Sequence, residues 1–344
     1  MHFSRVVLAS TAASVAAAAP FSFPLANGFP NLNATAMQEV FKLAGGTLPN
    51  GALPSSLKAP GIQALQLIAA NELFEVAYFS ELVHNITTGV PGYKCGQKAL
   101  DSLQAVVAQE QVHVLAANGV LANAKAETIQ PCKYSFPVSN FDDAIALAET
   151  FTEVVLGVLP VAQGLFAADG GDEVGLVPIV GSIIGQEGEQ VGYYRSIQNK
   201  VASSSPLLTG GAPQFAYTAI SQFIVRGSCP NIQAIGLTAF PALTVLSIPE
   251  AKNSTQEFSI DGDNVFEGAN SIAYISGQNL PVVVPISDVK IEGGKTTFCA
   301  EFPYDAGFAR GLTLGALVKG SGSFNSSSAV AAATVNGPAL IEID

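Results

Sequence analysis

Glu110 and His113 stand three residues apart in the segment Gln-Glu-Gln-Val-His-Val, within a long apolar run. On a helix, positions i and i+3 share a face, so the carboxylate and the imidazole point the same way. Leu103, Val106, Val107, Glu110, His113 and Ala117 follow the helical period, which puts both groups in the stripe that packs the core. An ionised carboxylate without a partner there costs several kcal/mol or neutralises by a shifted pKa. Two partners would satisfy it. One is a neighbouring Tyr or Arg beside a hydrogen-bonded core histidine; the other is a metal ion.

Three further segments repeat the pattern. Leu65, Ile68, Ala69, Glu72, Glu75, Val76 and Phe79 make one stripe; Ile145, Ala148, Glu149, Thr152, Glu153 and Leu156 make another; Val177, Val180, Ile184, Glu187, Val191 and Tyr194 make a third. Together they offer Glu72 or Glu75, Glu110 with His113, Glu149 or Glu153, and Glu187 with Gln190. Carboxylates in four apolar stripes are hard to explain by solvation. They suit two divalent ions, whose four positive charges several carboxylates can neutralise and bridge; oxygen donors with imidazole favour iron or manganese, with zinc able to use the same ligands. Gln190 stands where a symmetrical pair of sites would have a second histidine, and an amide oxygen is the weaker ligand.

The elements that must position these groups are four helices, over about residues 61–84, 97–125, 140–168 and 173–200. Asn140 is the expected N-cap of the third, with Asp142 and Asp143 in its first turn, and Pro160 is expected to kink its later part. The connection after the second helix, about fifteen residues with Pro131, Cys132 and Pro137, is long for adjacent antiparallel helices. It suits the single crossover of a ferritin-like bundle.

The segments Asn71-Glu72-Leu73-Phe74-Glu75, Gln109-Glu110-Gln111-Val112-His113, Thr152-Glu153-Val154-Val155 and Gly185-Gln186-Glu187-Gly188-Glu189-Gln190 resemble the ferritin-like domain of fungal secreted proteins tied to sexual development and stress responses. Plant desiccation-related proteins are similar in the same domain. The resemblance covers about residues 60–200 and implies Glu72, Glu110, His113, Glu153 and Glu187 as metal-facing positions, with Glu75 and Glu149 as extras.

The expected fold is therefore α+β in two domains: a ferritin-like four-helix bundle over 61–202, then an antiparallel β-sandwich-like domain over 231–344. Residues 1–19 read as a secretory signal peptide, with Ala16 and Ala18 at the small positions before a cleavage site. Residues 20–60 read as an irregular lead-in with one short helix, and 203–230 as a linker with another. The strands are expected at 243–248, 257–260, 271–275, 282–286, 296–302 and 312–318, with 329–335 and 339–343 as last strands.

The chain has 344 residues, half of them hydrophobic (49%) and few charged (12%), with a formal net charge of −12. That charge argues against nucleic acid or an anionic membrane surface as partner, and no segment beyond the leader reads as a membrane span. A secreted, extracellular location agrees with four N-glycosylation patterns, at Asn33, Asn85, Asn253 and Asn325. Four cysteines suit two disulfides, expected as Cys95–Cys132 and Cys229–Cys299 because each joins residues of one folded region. His84 reads as a solvated helix-end residue, and no nucleophile elbow or phosphate-binding loop accompanies either histidine.

Two functions follow. One is a metal-binding protein that oxidises ferrous iron or consumes peroxide, with Tyr78 as a local electron donor. The other is a non-enzymatic extracellular structural or interaction protein with a decayed metal site, whose bundle is a scaffold and whose β domain binds a cell-wall or other external partner. Neither sets an oligomeric state.

Overall fold

The computed structural model describes residues 21–247, 249–262 and 268–344. The expected signal peptide lies outside them. The helical part comprises α1 (Ala34–Ala44), α2 (Ala59–Thr87), α3 (Gln97–Asn123), α4 (Phe141–Asp169), α5 (Leu176–Ile197) and α6 (Pro213–Ser221). A 3-10 turn, Gly171–Gly175, joins α4 to α5. It takes up Glu173, which the sequence placed in the fourth helix.

Local chemistry explains the boundaries. Asn140 caps α4 by accepting from the Asp143 N–H at 2.9 Å, and two aspartates complement the dipole of the first turn. Pro160 lies inside α4, which continues past it to Asp169. At the start of α2, the backbone N–H of Lys58 donates to Glu173 at 2.6 Å, so the short turn before α5 also caps a distant helix. α1 lies against α3. α2, α3, α4 and α5 enclose one core, in which Phe74 meets Tyr134, Phe136 and Phe151 edge-on.

The β-rich part has β1 (Thr244–Val245), β2 (Ser254–Asp261), β3 (Ala269–Ser276), β4 (Val282–Glu292), β5 (Lys295–Phe302), β6 (Gly311–Lys319), α7 (Ser327–Ala333) and β7 (Thr334–Ile343). Every pairing is antiparallel, in the order β1-β2-β5-β4-β3-β6-β7. β4 serves both halves. Its first residues pair with β3, and those from Ile286 onward pair with β5. The expected sandwich of two layers is thus one curled, nearly closed, barrel-like sheet. Asn336 and Gly337 of β7 reach back to the carbonyls of Ala242 and Pro241, just before β1, which brings the sheet edges together.

Residues 329–335, expected as a strand, lie largely in α7. Ser326 caps that helix through the Ala329 N–H, and the alanine-rich sequence after it favours a helix.

Strand alternation gives β3 and β6 two cores. Ile272, Tyr274 and Leu317 point into the sheet's own interior, while Ala273, Ile275, Leu312, Leu314 and Ala316 join the helical core. The two parts therefore share one contiguous apolar junction. Gly157 of α4 makes the close approach there: its carbonyl accepts from Gly211 N at 3.1 Å, and a Cβ at this position would sit 2.1 Å from the Thr209 oxygen.

The disulfide differs from both expected pairs. Cys132 is bonded to Cys229, leaving Cys95 and Cys299 as free thiols. The crossover after α3 runs beside the segment after α6, where Ser135 N–H donates to Phe223 O and Val225 N–H to Lys133 O. Segments distant in sequence are neighbours here, so a pairing argued from domain membership failed.

Candidate metal centre

Glu72 and Glu75 from α2, Glu110 and His113 from α3, and Glu187 and Gln190 from α5 converge in the helical core, and all four glutamates are fully buried. His113 Nδ1 lies 2.9 Å from Glu110 and 3.3 Å from Glu72. Ligand atoms of Glu72, Glu110, His113 and Glu187 all lie within 4.8 Å of one another, the spread expected of donors around a common ion.

The hydrogen bonding is incomplete. Gln190 donates to Glu110 at 2.5 Å, but one oxygen of Glu72 and both oxygens of Glu75 and of Glu187 accept no hydrogen bond. Buried carboxylate oxygens without a donor are costly, and native proteins rarely leave them so. The electrostatics agree. Burial, with like charges added, raises Glu72 to about 8 and Glu75 and Glu187 well above the ordinary carboxylate range. Burial also acts on Glu110, but His113 and the hydrogen bonds outweigh it and keep that carboxyl low. His113 is raised despite its burial, because Glu110 and Glu72 face it. A cation would remove this repulsion and supply the absent donors at once. The residues fit a divalent ion.

Glu149 and Glu153, the expected contribution of α4, do not join this cluster. One helical turn apart, they share the face of α4 toward Arg195, Lys200 and the β-rich part. Glu149 accepts from the Arg195 guanidinium, from Gln198 at 2.6 Å and from Lys200 at 3.0 Å; Glu153 accepts from Leu312 N–H at 2.6 Å. Arg195 is fully buried, and its charge holds them on that side. Arg195 on the neighbouring helix was the sequence signal that could have separated the two sets.

Two other assignments change. The Tyr78 hydroxyl donates to Ala144 O at 2.6 Å, which commits it to the α4 backbone rather than to the carboxylates. The tyrosine wired to the cluster is Tyr194, whose hydroxyl donates to Gln190 Oε1 at 3.0 Å. Gln190 is thereby a link between Tyr194 and Glu110 rather than a free ligand. His84 is half-buried beside Phe21 instead of solvated. Of the glycosylation patterns, Asn33, Asn253 and Asn325 are exposed, while Asn85 is half-buried in the last turns of α2.

With this geometry in hand, comparison with known proteins decides the class of the helical part. Residues 61–200 match the family described as the ferritin-like domain. The chain thus carries a ferritin-like helical domain, followed by a separate antiparallel β-rich domain. No curated protein matches the sequence. Among solved structures, the surface layer protein SbsC, domains 1-6, is similar at 10% identity over 80% of this chain and 45% of that one, with a TM-score of 0.17. The chain spans less than half of that structure, and a likeness at this level carries no argument about fold or function. The ferritin-like domain holds a buried carboxylate and histidine cluster that could bind metal.

Proposed function

We propose that the ferritin-like domain is a four-helix bundle binding one or two divalent ions, iron or manganese, through Glu72, Glu75, Glu110, His113 and Glu187. The observation that carries this is the set of buried carboxylate oxygens with no hydrogen-bond donor on three of those glutamates. When bound at this site, ferrous iron would be the electron source and dioxygen or peroxide the acceptor, so the chemistry supplied would be oxidation of ferrous iron coupled to reduction of dioxygen or peroxide. The chain's own residues set the conditions. His113 and Gln190 hold Glu110 ionised and oriented, while the apolar core around Phe79 and Tyr194 keeps bulk water from the carboxylates.

The protein is further proposed to act outside the cell, in development or stress. The Cys132–Cys229 bond supports an oxidising compartment, and three exposed acceptor asparagines are compatible with glycosylation. The absence of α4 glutamates from the cluster favours a second reading, in which one ion position is weak and the domain serves as a scaffold for binding through the β-rich part.

Elemental analysis of the purified protein beside a Glu110→Ala/His113→Ala variant tests the metal reading. Near-stoichiometric iron or manganese lost in an equally folded variant is expected, followed by oxygen uptake when ferrous iron is added to the wild type. Metal-free protein that ignores added ferrous iron would leave only the scaffold reading.

A further inference from the structure

A second carboxylate cluster lies at the junction of the two domains, and nothing in the central site uses it. Glu149 and Glu153 of α4 meet Glu342 of β7, with oxygens of all three within 4.8 Å of one another. Strand alternation puts Glu342 on the face of β7 toward the helices, two residues after Leu340, which packs on the helical core.

The three carboxylates are not equally satisfied. Glu149 is saturated by Arg195, Gln198 and Lys200. Glu153, 6% exposed, uses one oxygen for Leu312 N–H; its other oxygen accepts no hydrogen bond and stands 4.0 Å from Arg195. Both oxygens of Glu342 are buried and accept none. Gly311, at φ 89°, lets the backbone come close enough for the Leu312 contact, since a Cβ there would sit 2.9 Å from the Glu153 carboxylate.

With every group ionised the charges do not balance: Glu149, Glu153 and Glu342, with Asp344 at the rim 3.1 Å from Lys200, face two cations, Arg195 and Lys200, a surplus of two negative charges. The three unsatisfied oxygens carry no nitrogen or sulfur donor among them, and oxygen-only donors suit hard cations at about 2.3–2.6 Å.

We propose that Glu153 and Glu342, backed by Glu149, bind one hard divalent cation of the calcium class that fastens the β-rich domain to the helical domain. This site is chemically distinct from the central one, which offers imidazole. One ion would match the residual charge and connect α4 directly to β7. The competing way to neutralise the cluster is proton uptake: burial first, and then Glu149, already raise Glu153 to about 7, while burial and the neighbouring Glu153 and Glu149 raise Glu342 well above the ordinary carboxylate range.

The test is thermal unfolding of the full chain, after removal of metals, with and without CaCl2 at pH 7.5. Calorimetric titration with CaCl2 accompanies it. At a concentration 100-fold above Kd, the cation should raise Tm by about 5 °C or more. Glu342→Gln and Glu153→Gln should each lose that rise while remaining folded. Glu187→Gln, which alters only the central cluster, should keep it. The proposal is overturned if the wild type shows neither heat nor a shift, or if Glu342→Gln retains the shift. It is equally overturned if Glu187→Gln abolishes the shift, since the ion then occupies the central cluster. A wild type stabilised only by acid, with Glu342→Gln stable at every pH, would assign the cluster to protons instead.

Discussion

Gln190 donates to Glu110 at 2.5 Å, and its own amide oxygen accepts from the Tyr194 hydroxyl one helical turn further along α5. The residue that breaks the symmetry of a two-histidine site is thus an orienting group for a carboxylate. Replacing it with leucine should leave the fold intact and weaken binding of ferrous or manganous ion by about 10–100-fold, as loss of a group that orients a ligand commonly does. Titration of the metal-free variant beside wild type measures this. An unchanged affinity would mean that Glu110 needs no such support.

The metal-free protein should lose stability as the pH rises from about 5 to 8. Glu72, Glu75 and Glu187 have folded pKa values above the ordinary 4.5, with Glu72 near 8, and His113 is also raised. In this window the folded state binds more protons than the unfolded state, so raising the pH favours unfolding. Glu110, held low, contributes the opposite sign only as the pH falls. Saturating divalent metal should flatten or reverse the trend. Melting temperatures at pH 5.5 and 8 with and without manganese decide it, and a metal-free protein more stable at pH 8 would contradict the expectation.

Arg195 is fully buried against Glu149 and near Glu153. Arg195→Met removes the buried partner of Glu149 but leaves Gln198 and Lys200 on its other oxygen, so the cost should fall at or below the low end of the about 3–5 kcal/mol for breaking a buried pair. The double variant Arg195→Met/Glu149→Leu should recover part of that loss, because the under-compensated buried carboxylate is removed while Lys200 keeps Asp344 as partner. Denaturant unfolding of the two variants gives both numbers.

The Cys132–Cys229 bond closes a loop with a sequence separation of 97. Chain entropy for a loop of that length predicts a loss of about 4–5 kcal/mol on Cys132→Ser, and strain or residual structure would lower it. Peptide mapping without reduction should recover the 132–229 link, with Cys95 and Cys299 alkylated. A 95–132 link would show that the crossover does not lie against the segment after α6.

Periodicity was enough to read four long helices, an N-cap at Asn140 and a β-rich C-terminal part, because these depend on short-range patterns of apolar, capping and turn residues. It also marked the helical glutamates of both clusters as belonging to apolar stripes, since burial of a carboxylate leaves a local signature, but it left Glu342 of β7 unmarked. Which glutamates meet one another was decided by tertiary packing. A helix with two carboxylates one turn apart can turn them toward either neighbour, and only the buried charge of Arg195 and the approach of Gly311 settle that Glu149 and Glu153 face the β-rich domain. The disulfide, the commitment of Tyr78 to Ala144 and the curling of seven strands into one sheet likewise depend on contacts between residues far apart in the chain. No local periodicity records such contacts, because each arises only when two separately formed surfaces are brought together.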